Sequence, residues 1–64
     1  MMTIDLSGPQ GNAYFLLGVA KQLMIRNNFL PAQVENVLDE MKSGDYNNLC
    51  NVFEKNFSDY VELI

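Results

Sequence analysis

The segment Ser7-Gly8-Pro9-Gln10-Gly11-Asn12 decides how this chain of 64 residues is organised. Glycine, proline, serine and asparagine at this density are typical of a tight turn, because each of these residue types favours a turn conformation of the backbone. Thr3-Ile4-Asp5-Leu6, just before the turn, alternates polar and apolar residues, which predicts a short strand. The inner face of this strand would carry Met2, Ile4 and Leu6.

The residues after the turn predict a first helix from about Asn12 to Asn27. Asn12 suits the N-cap, since its side-chain oxygen can accept a hydrogen bond from a free N–H group of the first turn. Apolar residues recur at spacings of three and four along this segment and form one face of the helix. They are Ala13, Leu16, Leu17, Val19, Ala20, Leu23 and Met24.

The other side of this helix is not uniformly polar, because Tyr14, Gly18 and Ile25 fall close together there. A glycine inside a helix costs about 1 kcal/mol relative to alanine, so the close approach of another backbone is a reason for its presence. That backbone can belong to a second chain or to the third helix of the same chain. Tyr14, Gly18 and Ile25 are therefore candidate partner or dimer-interface residues.

A second helix is predicted to begin at Pro31, where the missing N–H group of proline costs nothing. With Leu30 as N-cap, Phe29 and Val34 take the two positions of a hydrophobic staple. Gly44 is expected to end the helix in the left-handed conformation.

Asp45 suits the N-cap of a third helix, from about Tyr46 to Phe57. The buried face of this helix would consist of Tyr46, Leu49, Cys50, Val52, Phe53 and Phe57. After a turn at Ser58-Asp59, the composition of Tyr60-Val61-Glu62-Leu63-Ile64 predicts a terminal strand.

These elements predict an α+β fold in which residues 1–64 form a single domain. A three-helix cluster would carry short N- and C-terminal strands paired on one side, in the order β-α-α-α-β. An isolated two-stranded sheet is marginal in water and leaves its edges open. Together with a first helix that is apolar on two sides, this predicts a homodimer.

The composition argues against catalysis. The chain has no histidine for acid–base work near neutral pH, so neither Ser7 nor Ser58 has the partner that a nucleophilic serine needs. Cys50 lies in the apolar stripe of the third helix, where a thiol acts as a small hydrophobic group. We therefore predict no catalytic residue and no enzyme activity.

Metal and cofactor binding are not predicted either. One cysteine without histidine cannot supply the ligands of a closed zinc site. Asp39, Glu40 and Asp45 surround Gly44, but they lack the alternating ligand spacing of a calcium loop. A solvated helix end followed by a cap explains these carboxylates.

The charge balance bears on partners and location. The net charge is −4, with only four scattered Lys and Arg residues, which disfavours nucleic acid as a partner. Residues 13–25 are rich in apolar groups but too short to span a bilayer, so no membrane partner is expected. The N-terminus lacks the basic region of a signal peptide, and a lone cysteine fits a reducing compartment. The sequence thus favours the cytoplasm.

The turn itself is a second candidate site. Free backbone N–H groups between a strand and a helix can bind an anion, which makes Ser7, Gly8, Gly11 and Asn12 a possible anion-binding turn. The segment lacks the Gly-Lys-Ser/Thr ending of a phosphate loop and the third glycine of a dinucleotide fingerprint. A purely structural turn would also account for these residues.

The segment Ile4–Ala13, together with Ser43-Gly44-Asp45-Tyr46 and Tyr60-Val61-Glu62-Leu63, resembles small accessory proteins of tailed bacteriophages. The resemblance covers most of the chain, but it carries no site residue across. It implies a stoichiometric inhibitor of a host enzyme or immune system, located in the host cytoplasm. Some such proteins sequester nucleotide signals.

The sequence, together with what this resemblance implies, leads us to expect one of two functions. The first is a non-catalytic protein-interaction module, a homodimer that inhibits a host defence protein. The alternative is a protein that binds or sequesters a small anionic ligand or nucleotide at the turn Ser7–Asn12.

Overall fold

The structure is a computed structural model and describes residues 2–64. The order of elements in the chain is strand β1 (Met2–Ile4), a 3-10 turn (Pro9–Gly11), helices α1 (Ala13–Arg26), α2 (Pro31–Lys42) and α3 (Tyr46–Phe57), and strand β2 (Val61–Leu63). The two strands pair with each other in one sheet. The predicted α+β fold, with its β-α-α-α-β order and paired terminal strands, is confirmed.

The two strands run parallel, which the sequence did not specify. Met2 lies opposite Val61, and Ile4 lies opposite Leu63. A parallel pair needs a long crossover connection, and the three helices provide it. The pairing continues past the strands, because the N–H group of Leu6 donates to the carbonyl of Ile64 over 2.9 Å.

The predicted inner face of β1 is buried at Ile4 and Leu6 but only in part at Met2. Ile4 is fully buried and Leu6 packs against the core, whereas 42 % of Met2 is exposed. The helix that covers the sheet is α3, which packs against β2.

The core draws side chains from both strands and all three helices. Within it, the rings of Phe53 and Phe57 meet edge to face at 5.1 Å, a favoured aromatic geometry. Tyr46 was predicted to be buried and is instead 40 % exposed, because its hydroxyl reaches outward to the turn before α1. The buried core residues are Ile4, Leu16, Ala20, Met24, Met41, Leu49, Val52, Phe53, Phe57 and Val61.

The two ends of α1 are held by asparagine residues. As predicted, the side chain of Asn12 caps the N-terminus, accepting a hydrogen bond from the N–H of Tyr14 over 2.7 Å. At the other end Asn28 has a φ of 62°, in the left-handed region. The N–H of Asn28 donates to the carbonyl of Ile25, and that of Phe29 donates to the carbonyl of Met24. This pattern is a Schellman motif, and it fixes the direction in which the chain leaves α1.

The expected left-handed conformation of Gly44 is wrong, since none of the glycines in residues 2–64 has a positive φ. The last turn of α2 is closed by side chains instead. The Ser43 hydroxyl and the Asn48 amide both donate to the carbonyl of Glu40, over 2.7 and 3.0 Å. A side chain at position 44 would crowd the start of α3, because a Cβ there would lie 3.0 Å from the Cβ of Asn48.

The start of α2 agrees with the prediction. Pro31 is the first helical residue and Leu30 is the N-cap. The side chain of Gln33 accepts a hydrogen bond from the N–H of Leu30 over 2.9 Å, which satisfies one backbone donor at the helix start. Across residues 2–64, no helix is both long enough and apolar enough to cross a membrane.

Candidate functional site

The residues singled out on the first helix form an exposed stripe. Tyr14 is 84 % exposed and Ile25 is 52 % exposed. Gly18 lies between them, and a Cβ built on it meets no atom within 4 Å. The alternative in which Gly18 packs against the third helix of its own chain is therefore excluded. At 1.5 Å per residue, the stripe from Tyr14 to Ile25 extends over about 16 Å.

Beside this stripe, a hollow of about 420 Å³ opens between the C-terminal half of α1 and the N-terminal half of α2. Ile25 belongs both to the stripe and to the wall of the hollow. Phe29, which follows the Schellman motif at the end of α1, also lines the hollow. Its lining is mostly apolar and consists of Lys21, Ile25, Phe29, Pro31, Val34, Glu35 and Leu38.

A second hollow, of about 300 Å³, lies at the opposite end of the same two helices. Tyr14 and Leu17 of α1 line it together with Met41 of α2 and Tyr46 of α3. The exposed stripe therefore connects two hollows along the groove between α1 and α2. We call this surface the α1–α2 face, defined by Tyr14, Gly18, Lys21, Ile25, Phe29, Val34, Glu35 and Leu38.

The apolar spacing in the sequence predicted the α1 part of this face but not the α2 part. Phe29 and Val34 were predicted to form a hydrophobic staple, and Val34 also to share the apolar stripe of the second helix with Leu38; Phe29, Val34 and Leu38 all line the hollow. Leu38 was assigned to no site. The periodicity of one helix shows which of its own residues share a side, but only the packing of α1 against α2 brings the two sets together.

The two helices of the face carry opposite charge. Helix α1 has Lys21 and Arg26 and no acidic residue. Helix α2 has three carboxylates and a single cation, Lys42. Lys21 and Glu35 lie on the same hollow, so a charge of each sign borders its apolar lining.

The second candidate, the turn Ser7–Asn12, is held together by its own hydrogen bonds. The N–H groups of Gly8, Gly11 and Asn12 donate to the carbonyls of Asp5, Gly8 and Pro9 over 3.2, 3.0 and 3.4 Å. The N–H and hydroxyl of Ser7 both donate to Oδ1 of Asp5, over 2.9 and 2.6 Å. All four amides named for an anion site thus have partners, and a carboxylate lies at the turn.

The hydrogen bonds from Ser7 also stabilise the negative charge of Asp5. They lower the pKa of Asp5 below its ordinary value of 3.8, first through the hydroxyl and then through the backbone amide. Asp5 therefore carries its negative charge at neutral pH. A negative charge beside the amide of Ser7 disfavours an anionic ligand at the turn.

The close approach of the turn to the backbone of Leu6 explains the glycine at position 11. A Cβ on Gly11 would lie 2.7 Å from the carbonyl carbon of Leu6 and would overlap its oxygen. The Tyr46 hydroxyl donates a hydrogen bond to the carbonyl of Gly11, so α3 holds the turn from outside. These contacts give the turn a structural role, joining β1 to α1 and α3.

The only thiol of the chain is half-buried in α3. Burial and the neighbouring Cys50 together raise the pKa of Tyr46 above its ordinary value of 10.0. Tyr46 thus remains protonated, which its hydrogen bond to the turn requires. Among residues 2–64, the potential metal ligands form no group of three.

Comparison with protein families, with curated proteins and with solved structures finds no match for this chain.

Proposed function

We propose that this chain is a non-catalytic protein-interaction module and that it binds through the α1–α2 face. The observation that carries the proposal is the exposed stripe from Tyr14 to Ile25, which runs into an apolar hollow of about 420 Å³. An apolar surface with charged residues at its border is typical of a protein-binding site.

The side chains on this face suit a role as binding anchors. Aromatic side chains are enriched among the residues that contribute most of the binding energy at interfaces. Among residues 2–64, Tyr14 is the most exposed of the large hydrophobic and aromatic side chains, and Phe29 is 37 % exposed beside the hollow. Neither side chain belongs to the buried core.

We further propose that the partner is a host protein and that binding inhibits it stoichiometrically, in the cytoplasm of a bacterial host. The resemblance to small accessory proteins of tailed bacteriophages supports this part of the proposal. The absence of histidine fits a protein that acts by occupying a surface and not by turnover.

The test compares two exposed isoleucines. Immobilised wild type, Ile25→Asp and Ile64→Asp are used to capture proteins from a bacterial lysate, and each captured protein is then titrated in purified form. Ile64 is 62 % exposed and lies outside the α1–α2 face, so it is a matched control. We expect Ile25→Asp to lose a partner that wild type and Ile64→Asp retain. Equal capture by all three chains would contradict the proposal.

A further inference from the structure

We propose that the α1–α2 face is self-complementary and that a second copy of this chain occupies it in the free protein. The inference rests on the proposed function, because it concerns the same face and names its occupant. The two copies are related by a two-fold axis that runs along the groove between α1 and α2. Each α1 then lies against the α2 of the other copy.

Charge complementarity favours this arrangement. Helix α1 contains Lys21 and Arg26 without an acidic residue, whereas α2 contains Glu35, Asp39 and Glu40 with the single cation Lys42. A two-fold axis along the groove leaves each residue at its own level, and Lys21 and Glu35 line the same hollow. Lys21 of each copy therefore meets Glu35 of the other, and the contact occurs twice. Since each copy has a net charge of −4, such local pairs are needed to offset the general repulsion.

The size and shape of the molecule also suit a dimer. A stable interface buries about 800 Å² on each partner, which is about a fifth of the 4284 Å² surface of this chain. The molecule measures 31 × 27 × 17 Å, so its broad sides are large enough to provide this area. At Gly18 the open space of at least 4 Å lets the backbone of another copy approach α1 closely.

A charge-exchange experiment tests the pairing. Lys21→Glu and Glu35→Lys are purified separately and examined by sedimentation equilibrium at about 10 μM, a concentration suited to micromolar affinity. Circular dichroism verifies that both variants keep their helices. We expect wild type near twice the chain mass of 7.3 kDa, and each variant alone to dimerise at least about tenfold more weakly, since both contacts become repulsive.

An equimolar mixture of the two variants is the decisive sample. Each mixed dimer regains two opposite-charge contacts, so we expect the dimer to return. A mixture that stays monomeric, or single variants that dimerise as well as wild type, would overturn the pairing. A monomeric wild type that still binds a lysate protein through Ile25 would overturn this inference and leave the proposed function standing. A wild-type dimer that captures no partner would support the inference and overturn the proposed inhibition.

Discussion

The hydroxyl of Tyr46, the first residue of α3, donates a hydrogen bond to the backbone carbonyl of Gly11, 35 positions earlier in the chain. This bond connects the turn that follows β1 to the helix that covers the sheet. Replacing Tyr46 with Phe removes the hydroxyl and keeps the ring. We expect the free energy of unfolding to fall by about 1 kcal/mol, as for an ordinary hydrogen bond, measured by urea denaturation.

The same tyrosine predicts how stability depends on alkaline pH. The pKa of Tyr46 is raised in the folded state, so the folded chain holds this proton more tightly than the unfolded chain. Its contribution is complete below the unfolded pKa of 10.0 and is lost as the pH rises through the folded value. Wild type should therefore lose stability above pH 10, and Tyr46→Phe should lose less over the same range. If the stability of wild type and of Tyr46→Phe fell equally with rising pH, Tyr46 would not be the group responsible.

Gly11→Ala tests the close approach of the turn to the backbone of Leu6. The new methyl group would overlap the carbonyl of Leu6, which is backbone and cannot move aside alone. We expect a loss of about 3 kcal/mol or more, at the upper end of overpacking effects. Gly8→Ala is the control, because a Cβ there would lie 3.6 Å from the carbonyl oxygen of Asp5, an ordinary contact. Equal losses in the two variants would show that the overlap is not the cause.

The helix bounds were predictable from the sequence because each depends on local signals. Asn12, Pro31 and Asp45 mark the three starts, and the structure places the helices directly after Asn12, at Pro31 and after Asp45. The left-handed residue was assigned to Gly44 and occurs at Asn28. Glycine is the usual choice for this conformation, but asparagine also adopts it, and nothing local distinguished the two positions.

Features that depend on two elements at once were harder to predict. The parallel direction of β1 and β2 is decided by how three helices pack between them, which no short pattern encodes. For the same reason the stripe of Tyr14, Gly18 and Ile25 was identified while the hollow beside it was not. The hollow exists only when α1 and α2 lie side by side.

Substitutions at Gly18 distinguish the stability of the folded monomer from its association with a second copy. A methyl group at this position meets no atom within 4 Å, so Gly18→Ala should stabilise the folded monomer by about 1 kcal/mol through helix propensity. Gly18→Leu should keep the helical content and weaken association, because its side chain fills the space that a second copy needs. Circular dichroism measures the helical content, and sedimentation equilibrium measures the association. A Gly18→Leu chain that unfolds would contradict the exposed position of this residue.

A titration with mono-, di- and cyclic nucleotides tests the turn Ser7–Asn12. Because its amides already donate to carbonyl and carboxylate oxygens, we expect no coordinated movement of the Gly8, Gly11 and Asn12 amide signals in NMR spectra. At millimolar ligand, binding of only about −4 kcal/mol would still register. If the three signals instead shifted together and saturably, ligand binding at the turn would rank above protein binding as the function of this chain.

The most direct test of the α1–α2 face as a binding surface is sedimentation equilibrium of wild type, Ile25→Asp and Ile64→Asp at matched concentrations near 10 μM. Both substitutions place a carboxylate at an exposed isoleucine, and only Ile25 lies on the face. The account predicts that wild type and Ile64→Asp sediment at twice the chain mass and that Ile25→Asp sediments at the chain mass. A dimer that survives Ile25→Asp and dissociates in Ile64→Asp would contradict it and would place the interface at the sheet.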